Sequence, residues 1–300
     1  MTRLLTPLLA VLALASLACQ TGERPPTPIP GHLEVHFVDV GQGDGIFIRS
    51  PEGLVMVIDG GPRDSGMSGY LKRHGVKTVD VLIGTHPEAD HIGGLIEVLK
   101  QLPVRNVYID DQVHTTRTYA DFLAAIQASE ATFHEARRGQ RIPFGTATVE
   151  VLHPVEPFLP GDLDENSVVV RLQYGQVSFL FTGDLGKVGE QSILSAGLDV
   201  SATILKLGHH GSSTSSSPAF LKAVAPQVAV YQAGRDNPYG HPHREVVQAV
   251  AELGIPLYGT KTHGTVVIRT NGQGYTIETQ RGAQEEKETQ PRSTAPLLVK

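Results

Sequence analysis

Short clusters of apolar and β-branched residues, separated by glycine-containing turns, open the readable part of the chain. LEVHFVDV (33–40), DGIFIRS (44–50) and LVMVIDG (54–60) are rich in valine, isoleucine and phenylalanine, and predict three strands joined by tight turns. VDVLIGT is a mostly apolar strand, and HIGGLIEVLKQL (91–102) carries apolar residues at helical spacing. VRNVYID predicts another strand and Tyr119–Ala128 another helix. TATVEVLHP, SVVVRLQYG and VSFLFTGD form a meander, with Tyr174-Gly175-Gln176 near a turn. ATILKLGHH (202–210) and QVAVYQAG are strands, PAFLKAV and REVVQAVAELG (244–254) helices, and TVVIRT with GYTIET a closing hairpin. Meanders and strand–helix crossovers therefore occur in both halves. Two packed sheets flanked by helices accommodate them; a single doubly wound sheet does not suit opening strands joined by tight turns.

The ends follow other rules. Residues 1–19 place Arg3 before an apolar run from Leu4 to Leu17, then small residues up to Cys19. That run is short for a membrane span and has the form of a signal peptide. Ser-Leu-Ala-Cys resembles a bacterial lipoprotein processing site, so Cys19 is expected to be lipidated, and the chain exported and membrane-anchored in the cell envelope or periplasm. With an incidental cysteine it would instead be secreted. Residues 20–31 are a proline-rich tether and 281–300 a charged tail expected to be disordered, leaving 32–280 as the folded domain. Cys19 is the single cysteine, so the mature domain has no disulfide and no thiolate ligand or nucleophile. A net charge of -6 supplies no overall basic field for nucleic acid or anionic membrane. Local groups at Lys72, Arg73 and Lys77, and at Arg137, Arg138 and Arg141, would guide a nucleic-acid backbone only if they border the site. Nothing in the sequence identifies a protein partner.

Candidate chemistry concentrates at predicted strand ends. His86, Glu88, Asp90 and His91 fall within THPEADH, directly after a buried strand and at the start of a helix. Imidazole and carboxylate together suit a borderline or hard divalent ion. The alternative is a helix start capped by Asp90 with exposed histidines. Asp184 ends VSFLFTGD, and His209 and His210 end ATILKLG. Each alone reads as a turn or surface decoration; together, at strand ends, they favour one shared site.

THPEADHIGG, FLFTGD and LGHHGSS, in that order, resemble the metallo-β-lactamase superfamily. DVGQGDGIFI (39–48), VIDGG (57–61) and YGHPHREVV (239–247) narrow the resemblance to the hydrolase domain of ComEC-type competence proteins. The resemblance implies an α/β fold, a four-layer αββα sandwich with two divalent metal ions at one edge between the sheets. By position, His86 and Glu88 would serve the first metal, Asp90 and His91 the second, and Asp184 would bridge. His209 would add a ligand to the second, with His210 the less favoured alternative. Glu88 stands where histidine is usual, which makes manganese plausible beside zinc. For the middle ligand His153 is the nearest candidate, its other reading being a strand-end histidine.

The resemblance also places Asp39, Gln42 and Asp44 beside the metals, where Asp39 or Asp44 would orient a ligand or hold substrate. A turn alone equally explains that glycine-rich loop. Asp59 would support the histidine-rich loop. His241 and His243 would donate to a substrate oxyanion or cap the following helix, and Asn166 and Ser167 match a family motif without an assigned role. Asp90, Asp44 and His241 are the expected catalytic groups. The implied activity is an exported metal-dependent phosphodiesterase or nuclease acting on DNA or a small phosphodiester. Hydrolysis of another ester, lactone or β-lactam, and a silent lipid-anchored binding module with structural metal, are the alternatives.

Overall fold

The computed structural model describes residues 29–282 and the backbone of 285–288. The expected leader with Cys19, the tether up to residue 28 and the tail beyond 288 lie outside the described residues.

The chain begins β1 (Leu33–Phe37), β2 (Gly45–Arg49), β3 (Val55–Gly60), α1 (Met67–Arg73), β4 (Val79–Gly84), α2 (Ala89–Gln101), β5 (Val104–Ile109), α3 (Arg117–Ala128) and β6 (Thr132–Glu135). It continues through β7 (Arg141–Phe144), β8 (Ala147–His153), β9 (Val169–Tyr174), β10 (Val177–Phe181), α4 (Lys187–Ser195), β11 (Ile204–Lys206), α5 (Pro218–Val224), β12 (Val228–Tyr231), α6 (Arg244–Glu252), β13 (Leu257–Gly259) and α7 (Thr260–His263). It closes with β14 (Val266–Thr270), β15 (Gly274–Thr279) and β16 (Glu285–Glu288).

Among the described residues these strands form two sheets, ordered β16-β15-β14-β1-β2-β3-β4-β5-β6 and β13-β12-β11-β10-β9-β8-β7. Their inner faces meet in one core that includes Phe37, Ile46, Ile58, Val151, Val170, Phe179, Phe181 and Val230. The outer face of the first sheet packs on α1, α2 and α3 through residues such as Val57, Leu71, Leu95 and Phe122. Leu180, Leu205, Ile193, Phe220 and Val250 do the same for the second sheet with α4, α5 and α6. Burial on both faces explains the near-continuous apolar runs of β2, β3, β10 and β12. The result is the expected four-layer αββα arrangement.

Several details differ from the sequence reading. β1 stops at Phe37, three residues short of the run's end, because the chain then turns into the DVGQGDG loop. The closing hairpin β14–β15 returns to the first sheet, where β14 pairs antiparallel with β1. Ordered backbone runs past residue 280, since β16 pairs with β15. The periodicity missed β7, an edge strand interrupted by Pro143, and α4, whose apolar pattern is diluted by Gly189.

The topology positions chemistry at one edge. β3, β4 and β5 run parallel in one sheet and β10, β11 and β12 in the other. Their carboxyl ends carry Asp59, the loop 85–91, Asp184, the His209–His210 pair and Gln232. The two sheets therefore face each other there with their loops. Lys72 and Arg73 end α1 and Lys77 precedes β4, at the opposite end of that strand from His86, so this basic group does not border the site.

Phe179 is fully buried in the inter-sheet core. Phe179→Ala is expected to lower unfolding stability by about 3–5 kcal/mol, read from urea denaturation. A loss under about 1 kcal/mol would show that the sheets do not share a tightly packed core.

Candidate metal centre

Asp59, the penultimate residue of β3, holds the histidine-rich loop. Its backbone lies in the left-handed region at φ 57°, which sets its carboxylate against the end of β4. Oδ1 accepts from the Thr85 amide at 2.9 Å, and Oδ2 accepts from the Thr85 hydroxyl at 2.7 Å. The same oxygen lies 2.9 Å from His91 Nδ1. With Nδ1 committed to a carboxylate, His91 aims Nε2 at Asp184, 3.3 Å away. Asp184 follows Gly183, at φ 51°, where a Cβ would press within 2.9 Å of Thr85. Its amide is received by the Ser167 hydroxyl at 3.2 Å. This gives Ser167 a role: it orients the turn that carries Asp184.

The pair after β11 lies in strained backbone. His209 and His210 have consecutive positive φ values of 46° and 56°, a conformation costly for residues with a Cβ. The strain turns His210 inward. Its Nδ1 faces the Gln232 carbonyl at 2.9 Å and Asp44 at 3.2 Å, while Nε2 lies 3.2 Å from Asp184 and 3.3 Å from Asp90. His209 is more open, with Nε2 3.8 Å from Asp184 and Nδ1 3.1 Å from Asp164. His210 enters the buried cluster, while His209 stands at its edge. Donor atoms of Asp44, His91, Asp184 and His210 lie within 4.8 Å of one another, with Asp90 at the rim.

A second cluster joins His86, Glu88 and Asp164. Asp164 sits on a 3-10 turn, Leu163–Asn166, and its Oδ1 is 3.7 Å from His86 Nε2. It fills the place for which the sequence suggested His153. That histidine is fully buried beneath the turn, with Nε2 2.9 Å from the Glu165 carbonyl and Nδ1 3.4 Å from Arg138. His153 supports the turn and belongs to neither cluster among the described residues. Asn166 also acts locally, binding both backbone groups of Leu159 and reaching Gln112.

Lys206, a fully buried cation, was missed. It contacts Asp44, lies 3.7 Å from Asp184 and donates to the Gly183 carbonyl at 2.8 Å. Between Lys206 and His210, Asp44 acts as an orienting carboxylate instead of a free base. A lysine inside an otherwise apolar strand, ATILKLG, was the available signal. For Asp164 it was only an acidic residue in a loop, DLDEN. Asp39 is drawn away from the centre, accepting from the Gly41 amide and pairing with Arg281 at 3.2 Å. Its pairing with Arg281 sets it apart from both clusters. Gln42 accepts from the Gly234 amide at 3.2 Å and joins two loops at the rim. His243 lies at the N-cap of α6 without a side-chain cap bond. Its ring instead receives the Ser213 amide at 2.9 Å and approaches the Tyr239 carbonyl at 3.1 Å. His241 is buried beside both His209 and His210, at ring separations of 5.5 and 5.7 Å. Arg137, of the second basic group, is engaged by Glu135, Asp111 and Glu156.

The donor set fits divalent cations. His86 Nε2, His91 Nε2 and Asp184 Oδ1 are buried without a hydrogen-bond partner, all within the two clusters. Among the described residues, Lys206 is the one lysine or arginine ion-paired to Asp44 and Asp184. Burial opposes charge on His91 and His210, yet Asp184, with Asp59 beside the first and Asp44 and Asp90 beside the second, holds both well above the ordinary histidine value. Burial also works to raise Asp44 and Asp184. Lys206 and His210 hold the first below its usual value, and His210 and His91 the second. His86 is lowered to about 3 by burial and by His91, so it is neutral and able to ligate. Glu88 is pushed up by burial and by Asp164, the response of two carboxylates facing one cation position.

Comparison with known proteins agrees with this geometry. A family model, the Metallo-beta-lactamase superfamily, matches residues 38–235. ComE operon protein 3 of Bacillus subtilis is 31% identical over 255 residues, covering 79% of this chain and 33% of that protein. Competence protein ComA of Neisseria gonorrhoeae is 31% identical over 265 residues, covering 86% of this chain and 35% of its own length. The chain thus spans about a third of the length of these curated relatives. Among solved structures, CmlA, a diiron beta-hydroxylase from Streptomyces venezuelae, superposes with a TM-score of 0.53 at 17% identity, covering 82% of this chain and 55% of that one. At that identity the likeness is one of fold.

Two outcomes follow. Asp59→Asn removes the carboxylate that fixes His91, and is expected to weaken metal affinity about 10–100-fold in a competition titration; unchanged affinity would contradict the orienting role. His91 and His210 retain protons near neutral pH without metal, so metal binding must displace them. Affinity should rise with pH, with protons released on binding. Calorimetry in buffers of different ionisation enthalpy reads this directly, and identical heats in every buffer would refute it.

Proposed function

The chain belongs to the metallo-β-lactamase superfamily, and from that premise we propose that it is a metal-dependent phosphodiesterase, acting on DNA or a smaller phosphodiester outside the cytoplasm. The observation that carries the reading is a donor set rich in carboxylates and shared between two sheets: Glu88, Asp90, Asp164 and Asp184 with His86, His91 and His210. Oxygen donors favour hard cations, manganese beside zinc, and these suit the anionic oxygens of a phosphodiester. Two such cations supply Lewis acidity and lower the pKa of water.

The protein's own groups do the positioning. His86, Glu88 and Asp164 would hold one cation, and His91, His210 and Asp184 with Asp90 the other, the two clusters adjoining where the His86 and His91 rings lie 4.1 Å apart. Asp59, Asp44 and Gln232 fix the imidazole rings, so the donors need little reorganisation. Lys206 limits the negative charge that a phosphate meets on approach. Burial and the nearby His210 lower His241 to about 4, so it is neutral at physiological pH. Its Nδ1 has no partner, leaving it to hydrogen-bond a substrate oxygen. Lipidation at Cys19, with residues 20–31 as a stand-off, would place this site at a membrane surface.

The test is hydrolysis of bis-p-nitrophenyl phosphate and of single- and double-stranded DNA by the full chain with manganese, zinc or chelator. Metal-dependent turnover is expected, lowered about a hundredfold or more by Asp184→Asn. A folded, metal-loaded protein that hydrolyses no phosphodiester would overturn the reading in favour of a binding module.

A further inference from the structure

Tyr239 is an exposed aromatic ring with no apolar cover. It is 63% exposed, more open than Phe133 at 44%, which lies on the edge strand β6. One face of Tyr239 is stacked on His241, with ring centroids 5.7 Å apart and planes at 21°. His241 in turn lies 5.5 Å from His209 and 5.7 Å from His210. A continuous ladder of rings thus leads from solvent to the metal centre, with the outer face of Tyr239 as its open end.

The loop that carries this ring is fastened from several sides. The Asn237 side chain donates to the carbonyls of Gly234 and His241 at 2.8 and 2.9 Å, and accepts from the His241 amide at 2.9 Å. Lys261 donates to the same His241 carbonyl at 2.9 Å. His243 Nε2 sits 3.1 Å from the Tyr239 carbonyl, and Gln42 holds the Gly234 amide. A mobile loop would let an exposed tyrosine fold down onto apolar surface. This one is held out, on the rim of a site whose adjoining His241 Nδ1 is buried and unpartnered. An aromatic ring fixed in place loses little entropy when a flat ligand stacks on it.

We propose that Tyr239, backed by His241, is a stacking platform for an unpaired nucleobase next to the scissile phosphodiester, and that it favours single strands over duplex. The identity of the ligand rests on the phosphodiesterase reading above; the platform itself rests on the ring geometry. Each base presents a flat π-face, so the selection is for strandedness and not for sequence. Within a duplex both faces of a base are covered by its neighbours, and exposing one costs a few kcal/mol. His241, oriented by the loop, then meets the phosphate while Tyr239 meets the base.

The experiment is fluorescence anisotropy with the full chain, in manganese and in chelator. The probes are a short labelled oligothymidylate, the same backbone with abasic sites, and a duplex of equal length. Wild type is expected to bind the base-bearing strand more tightly than the other two. Tyr239→Ala should weaken that binding about tenfold, within the range of one base–aromatic stack, while the abasic strand loses nothing. Tyr239→Phe, which keeps the ring, should match wild type. Equal weakening on base-bearing and abasic strands would indicate a disturbed loop and overturn the proposal, as would no preference for bases in the wild type. Turnover distinguishes the two ideas. Ring-dependent binding without hydrolysis leaves the platform standing and removes the phosphodiesterase; hydrolysis indifferent to Tyr239 and to the presence of bases does the reverse.

Discussion

Negative charge gathered at the seam between two sheets is the constraint on which the rest of the molecule depends. Asp44, Asp59 and Asp184 are almost completely buried at the carboxyl ends of strands from both halves of the chain or in the loop between β1 and β2. Carboxylates removed from water are tolerable only when paired. Here the compensation is divided among two imidazoles, Lys206, backbone amides and the cations that the orphaned donor atoms call for. Because Asp184 follows a strand of the second sheet and His91 stands in the first turn of α2, which packs on the first, the pairing also couples the sheets. Their relative placement cannot drift without leaving a buried charge unmatched.

The same constraint accounts for the unusual backbone around the centre. Asp59, His209 and His210 occupy left-handed conformations that ordinary side chains avoid. At Gly43 a Cβ would lie 2.1 Å from the Asp90 carbonyl, so the loop carrying Asp44 can pack on the start of α2 only because that position lacks one. Strain of this kind persists where surrounding contacts over-determine it. The hydrogen bonds of Thr85, Gln232 and Ser167 supply those contacts.

Membership of the superfamily sets the frame and leaves the chemistry to the site. One structure of related fold is a diiron beta-hydroxylase, and one relative by sequence is a competence protein. A fold shared so widely does not choose a substrate. The choice lies with hardness of the donors and with the rim. In the cluster with His86, Glu88 and Asp164 contribute oxygen donors. Of the basic groups noted in the sequence, Lys72, Arg73 and Lys77 lie at the other end of β4, and Arg137 is paired with acids. The exposed ring at the rim is that of Tyr239, stacked on His241.

Local pattern was enough for the layers and for much of the centre. Alternating and continuous apolar runs marked most strands, and the ligand-bearing segments stood out because THPEADH, TGD and GHHG interrupt such runs with groups that have few purely structural uses there. Nothing local could rank His209 against His210, since that ranking depends on two left-handed residues and on a carbonyl from β12. Nor could pattern separate His153 from Asp164. His153 lies beneath the 3-10 turn with Nε2 on the Glu165 carbonyl, while Asp164 on that turn approaches His86, and only the folded turn decides between them. Asp39 and Asp44 sit five residues apart in one glycine-rich loop, yet Arg281 draws one outward and Lys206 holds the other inside. Residue types and their order are properties of the chain; which oxygen or nitrogen faces the shared clusters is set by partners as distant in sequence as Asp44 and His210, brought together only when the two sheets close on one core.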